Sequence, residues 1–201
     1  MKLRTLFRVL LALVLQTALC AQPPGPAPGL KDTVVLIIRH AEKPQSGKGL
    51  APAGRARARA YAGYFRNYSI DGKPLQLDYL VATADTRRSR RPRLTVEPFS
   101  KASGLAIDLR FTEGDAAGLV AELRARPHGH AILISWHHGE IAALVGAFGA
   151  DPGRVIPGGV WPEDLYDRLI QLRFDAQGRL SEAKGISEHL MPGDPQQPAA
   201  M

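Results

Sequence analysis

Two apolar runs without polar alternation, residues 33–38 (Thr33-Val34-Val35-Leu36-Ile37-Ile38) and 131–136 (Ala131-Ile132-Leu133-Ile134-Ser135-Trp136), restrict this chain more than any other feature. Runs of this kind, rich in β-branched residues, suit strands buried on both faces, and such strands need helices over both sides of their sheet. Residues 79–82 read the same way, less strongly. Helical segments follow: Pro52 sits at a first turn before 53–65, Pro92 does so before 93–102, Asp115 can cap 116–124, and 140–148 would stop at Gly149. The alternation predicts an α/β domain, a three-layer sandwich with a largely parallel central sheet and helices on both faces. Residues 169–173 and 179–183 flank Asp175-Ala176-Gln177-Gly178, which reads as a hairpin at the sheet edge.

The expected domain covers residues 33–190. Before it, Lys2, Arg4 and Arg8 flank a short apolar run and small residues follow, the layout of a signal peptide over 1–20. Cleavage after Cys20 is expected, with Cys20 lipidation as the alternative. A periplasmic or secreted location follows from either. Cys20 is the only cysteine, so disulfide and thiol chemistry are not expected in the mature chain. No segment has the roughly twenty apolar residues of a membrane span. Residues 21–32 read as a Pro/Gly-rich tether and 191–201 as a disordered tail.

The leader holds three of the 26 Lys+Arg residues and none of the 19 Asp+Glu, so its loss lowers the formal charge from +7 to +4. That excess suits a small anionic substrate and is too weak and dispersed for nucleic acid. Sites in open α/β sheets gather at the carboxyl ends of strands. Arg39-His40 ends one buried run and His137-His138 ends the other, so two distant histidine sites can share one crevice. A neutral His40 can attack phosphorus. Arg39, Arg88 and Arg91 can hold phosphoryl oxygens, which guanidinium groups bind bidentately.

These residues carry a resemblance. The run Leu36-Ile37-Ile38-Arg39-His40-Ala41-Glu42 resembles the Arg-His-Gly/Ala signature of the histidine phosphatase superfamily. Residues 50–58, 91–98 (Arg91-Pro92-Arg93-Leu94-Thr95-Val96-Glu97-Pro98) and 132–141 are similar to its later motifs, in order, and the resemblance spans about residues 33–174. It implies a phosphoglycerate mutase-like fold and a phosphohistidine on His40. It also implies oxygen ligands in Arg39 and in Arg91, with Arg88 competing, and a second histidine, His138 or His137. Glu42 belongs to the signature and is counted with the substrate-binding residues. The proton for the leaving group is expected from Glu113 or Asp115, with Glu140 in reserve.

The implied activity is hydrolysis of small phosphomonoesters outside the cytoplasm, without metal or cofactor. Neighbouring strand residues face opposite ways, so His137 and His138 are not expected to share a metal ion. A phosphoglycerate-type mutase fits an exported chain less well. A protein phosphohistidine phosphatase and a non-catalytic phospho-ligand binder of the cell envelope remain as alternatives.

Overall fold

The computed structural model describes residues 28–194, so the expected leader, residues 21–27 of the tether and 195–201 of the tail lie outside the described residues. After a 3-10 turn at Pro28–Leu30 come β1 (Val34–Arg39), α1 (Pro52–Arg66), β2 (Ser69–Ile70), β3 (Lys73–Pro74) and β4 (Tyr79–Ala82). They are followed by α2 (Arg91–Ser103), β5 (Ile107–Asp108), α3 (Ala116–Ala125), β6 (Ala131–Trp136) and α4 (His138–Ala147). A short α5 (Pro152–Val155), β7 (Leu169–Phe174) and β8 (Leu180–Ile186) complete the chain.

Six strands form one sheet in the order β5-β4-β6-β1-β7-β8. The first four run parallel; β7 pairs antiparallel with β1, and β8 with β7. Alternate residues of the buried strands feed two cores. Val35, Ile37, Ile132 and Ile134 pack with Leu119 and Leu123 of α3 and Ile141 and Leu144 of α4. Leu36, Ile38 and Leu133 pack with Tyr61 and Phe65 of α1 and Val96 and Phe99 of α2. The unbroken apolar runs are thus needed because both faces are covered, each Val, Ile or Leu contributing roughly 1.5–3 kcal/mol by its burial. The helices on both faces make the three-layer sandwich that the strand pattern predicts.

One close approach ties α1 to the end of β1. Ala51 N–H donates to Glu42 O at 2.9 Å, and a Cβ on Gly54 would lie 2.5 Å from the same oxygen. Only glycine lets the first turn of α1 rest on the loop that follows His40.

Several boundaries differ from the sequence reading. Residues 69–74 form the β2–β3 hairpin instead of a plain loop, turning at Asp71-Gly72 with φ of 52° and 74°. An Asp-Gly pair favours this turn because both central residues need positive φ. The 149–161 segment contains α5, capped by Asp151 through Gly153 N–H. Leu30, placed in the tether, is fully buried. Residues 191–194, placed in the tail, close a turn in which Asp194 N–H donates to Met191 O at 3.0 Å. Among the described residues no helix is long and apolar enough to cross a membrane.

Candidate active site

Parallel register brings the two histidine segments together. Arg39 pairs with Trp136 across β1 and β6, and His40 N–H donates to Trp136 O at 2.9 Å. The next residue on each chain is a histidine, so the rings of His40 and His137 meet edge to face at 5.2 Å between centroids. Helix α4 begins at His138, two residues before the expected start, so the strand has ended and its alternation no longer parts the pair. The His138 ring also lies edge-on to His40, at 6.2 Å. Both competing histidines reach the site; His137 is nearer. Among the described residues no group of three His, Cys, Asp or Glu side chains is arranged to hold a metal ion.

His40 has a defined tautomer. Its Nδ1 lies 2.7 Å from Ala41 O, and a carbonyl only accepts, so Nδ1 carries the proton and Nε2 keeps its lone pair. Burial, first of all, lowers the pKa of this ring to about 3; Arg39, His137 and Arg91 add to the effect and the Ala41 hydrogen bond opposes it. The unfolded chain therefore takes up a proton below pH 6.5 that the folded ring refuses, and His40 destabilises the fold progressively as pH falls through that window. In an NMR titration the His40 ring signals should stay flat from about pH 7 to about pH 5. A midpoint near the ordinary histidine value would show an accessible, unperturbed ring.

Arg39 is 1 % exposed and held in place on one side. Its Nη1 donates to Pro162 O, Glu163 O and Leu165 O at 3.2, 2.7 and 2.9 Å, and its guanidinium lies over the Tyr166 ring at 3.9 Å. Nε and Nη2, equally buried, have no acceptor among the described residues. Arg91 opens α2 and donates from Nη1 to Gly47 O at 3.3 Å, while its buried Nε is also without an acceptor. Thr95 joins the two loops: its hydroxyl accepts from Ala41 N–H and donates to Arg91 O, both at 2.8 Å. The site thus presents buried N–H donors from two guanidinium groups beside a neutral imidazole. Buried donors of this kind are costly unless an acceptor reaches them.

The other expected residues separate. Arg88 is exposed on the loop before α2, and its backbone N–H bonds to Thr86 Oγ1; of the two competing arginines, Arg91 is the one beside His40. Glu113 Oε2 lies 3.4 Å from His137 Nδ1, and Trp136 Nε1 donates to Glu113 O at 3.0 Å, fixing that loop to the end of β6. Asp115 does not join it. Its carboxylate accepts Gly118 N–H at 3.1 Å as the cap of α3, which corrects its assignment as a proton donor. Glu140 lies in the first turn of α4.

Glu42 needs a second correction. Its Oε1 accepts from Arg57 Nε at 2.9 Å, and its charge also acts on Arg39, so its carboxylate serves the guanidinium groups and is not itself a donor to a phosphoryl oxygen. Arg57 is 3 % exposed. Tyr166 and Trp136 were not legible as site residues: their roles come from contacts across more than a hundred and over twenty residues of chain, respectively. Burial lowers the pKa of both His137 and His138 from the ordinary value, with Glu113 opposing it at His137.

The sheet order and helix layers are those of the phosphoglycerate mutase-like fold, which the histidine phosphatases share. It is similar to the protein histidine phosphatase SixA solved with tungstate, at 16% identity over 78% of this chain and 97% of that one, TM-score 0.52. A SixA chain of Agrobacterium tumefaciens matches at 20% identity over 81% and 99%, TM-score 0.51. Phosphoglycerate mutase of Plasmodium falciparum matches at 15% identity over 82% and 96%, TM-score 0.52. No family model matches the sequence, and no curated protein matches it.

Proposed function

We propose that this chain is a metal-independent phosphatase that hydrolyses small phosphomonoesters through a phosphohistidine on His40. The observation that carries this reading is the neutral Nε2 of His40 beside buried, unpartnered N–H groups of Arg39 and Arg91. Those donors suit the equatorial oxygens of a phosphoryl group, whose charge in transfer is stabilised by positioned cations. The similar SixA structure is complexed with tungstate, an oxyanion of the same shape class as phosphate, which supports an oxyanion as the ligand of this chain.

In the proposed reaction His40 Nε2 forms a bond to phosphorus as the ester P–O bond breaks, and the departing oxygen takes a proton from Glu113. Water, giving its proton back to the Glu113 carboxylate, then forms a P–O bond as the N–P bond breaks, releasing phosphate and restoring the neutral ring. Glu113 is assigned on its place beside His137, at the rim of the site. His40 is 1 % exposed, whereas His137, His138 and Arg91 around it are partly exposed, so substrate reaches Nε2 by displacing side chains of that rim. The signal-peptide layout of residues 1–20 supports the reading that this activity is carried out outside the cytoplasm.

The test uses the native protein and a phosphomonoester labelled in its phosphoryl group. Brief reaction, denaturation in alkali, which preserves phosphohistidine, and peptide mapping should find the label on His40. Turnover with no labelled intermediate, or with label on another residue, rejects the mechanism. Anion binding without phosphate release from any ester or phosphohistidine peptide leaves the binding-protein reading. Faster release from the peptide than from small esters selects a protein phosphohistidine phosphatase.

A further inference from the structure

Resting on that reading of the site, we propose that the loops flanking Arg91 form a second anion subsite, and that the substrate is a small ester carrying another anionic group beyond the phosphoryl group His40 takes. The subsite consists of Lys48 on the loop after β1 and Arg87, Arg88 and Arg90 on the loop before α2. All four side chains are exposed.

Two features separate this patch from an ordinary solvated face. The first is its lack of counter-charge. Neighbouring cations are paired: Arg93 with Asp85 and Glu97 at 3.0 and 3.5 Å, Lys101 with Glu97 at 3.1 Å, and Lys43 with Glu163. Lys48, Arg87, Arg88 and Arg90 have no carboxylate partner among the described residues, and residues 1–27 and 195–201 contain no Asp or Glu that could supply one. Four like charges kept together repel one another, and a bound anion offsets that repulsion.

The second feature is order. Thr86 N–H donates to Ser89 O at 2.8 Å, and its hydroxyl accepts from Arg88 and Ser89 N–H at 3.1 and 2.9 Å. The turn is then docked on the Lys48 loop by Arg90 N–H to Lys48 O at 2.9 Å and Arg91 Nη1 to Gly47 O at 3.3 Å. The contacts that hold Arg91 at the start of α2 therefore also hold the backbone that carries these cations, within four residues of Arg91 on one loop and next to Gly47 on the other. The acidic groups on the same two loops are engaged elsewhere, Glu42 by Arg57 and Asp85 by Arg93; Glu113, Glu163 and Asp164 lie on other loops, and Glu163 is paired with Lys43. A second anionic group is attracted to the 48 and 87–90 side.

Glucose 6-phosphate and 6-phosphogluconate make a matched test, since both present one primary phosphate ester and only the second has a carboxylate. At low ionic strength kcat/KM should favour 6-phosphogluconate by about tenfold, the sum expected of a few exposed charge contacts, with the preference shrinking as salt rises. The R87Q/R88Q/R90Q variant, checked for an unchanged far-ultraviolet spectrum, should lose most of that preference. Equal use of the two esters by the native protein, or a preference the variant retains, overturns the proposal. If neither ester is hydrolysed, the catalytic reading fails for them and calorimetric binding of the same two compounds tests the subsite alone. Tighter binding of 6-phosphogluconate that the variant abolishes then upholds it, and equal binding overturns it.

Discussion

Replacement of His40 by alanine is expected to lower kcat/KM for a small phosphomonoester by at least about 10³-fold, the lower end of what loss of a covalent nucleophile costs. The expectation follows from the tautomer. Nδ1 is committed to Ala41 O, so Nε2 is the one atom of the ring with a free lone pair, and burial keeps the ring neutral. Neither His137 nor His138 is a substitute, since each ring lies edge-on to His40 and not in its place. The variant should still bind inorganic phosphate, because Arg39 is held by three backbone carbonyls and Arg91 by Gly47 O, none of which involves the imidazole. Steady-state rates with native protein and variant, together with calorimetric phosphate binding, check both parts. Retention of turnover by the alanine variant would remove His40 from the chemistry.

The second large effect is on stability. Arg57 joins three segments: Nε donates to Glu42 Oε1 at 2.9 Å, Nη1 and Nη2 donate to Asp194 at 3.1 and 2.5 Å, and Glu188 Oε2 lies 4.0 Å from Nη1. Its side chain is 3 % exposed and that of Glu188 is fully buried, so water screens the group little. Arg57→Ala leaves the Glu42 and Asp194 carboxylates without their cation, and we expect a loss of about 3–5 kcal/mol in urea unfolding, the range for breaking a buried pair from one side. Arg57→Lys keeps the charge but not the fork, and should cost less. An alanine variant within about 1 kcal/mol of the native protein would show that the cluster is hydrated and weak.

The same cluster gives stability a pH dependence. Burial, foremost, pushes the Glu188 carboxyl up to about 8, the hydrogen bond from Tyr61 and the charge of Arg57 opposing it. Its folded pKa is raised above the ordinary 4.5, so the folded chain holds a proton that the unfolded chain has released. That contribution is fully present below about pH 4.5 and is lost as pH rises through about 8.

Much of the architecture was legible in the sequence because it depends on local chemistry. Unalternated Val, Ile and Leu in β1 and β6 require cover on both faces; Pro92 and Asp115 start helices because of a fixed φ and a short acceptor side chain. The hairpin at Asp71-Gly72 is open to the same local reading, since both turn residues need positive φ. The candidate site was legible only as a set of residue types. Arg88 and Arg91 are the same chemistry three positions apart, and which one turns inward is decided by the docking of α2 through Thr95 and Gly47.

By itself, then, the sequence determined two buried strands each ending at a histidine, and the helices that sandwich them, since period, capping and branching act within a few residues. Tertiary structure decided the rest. The parallel pairing of β1 with β6 set His40 beside His137; Arg57 engaged Glu42, and the cap of α3 claimed Asp115. The physical reason is that a charged side chain has several competing partners of similar strength, and only the packing of distant segments decides which of them is within reach.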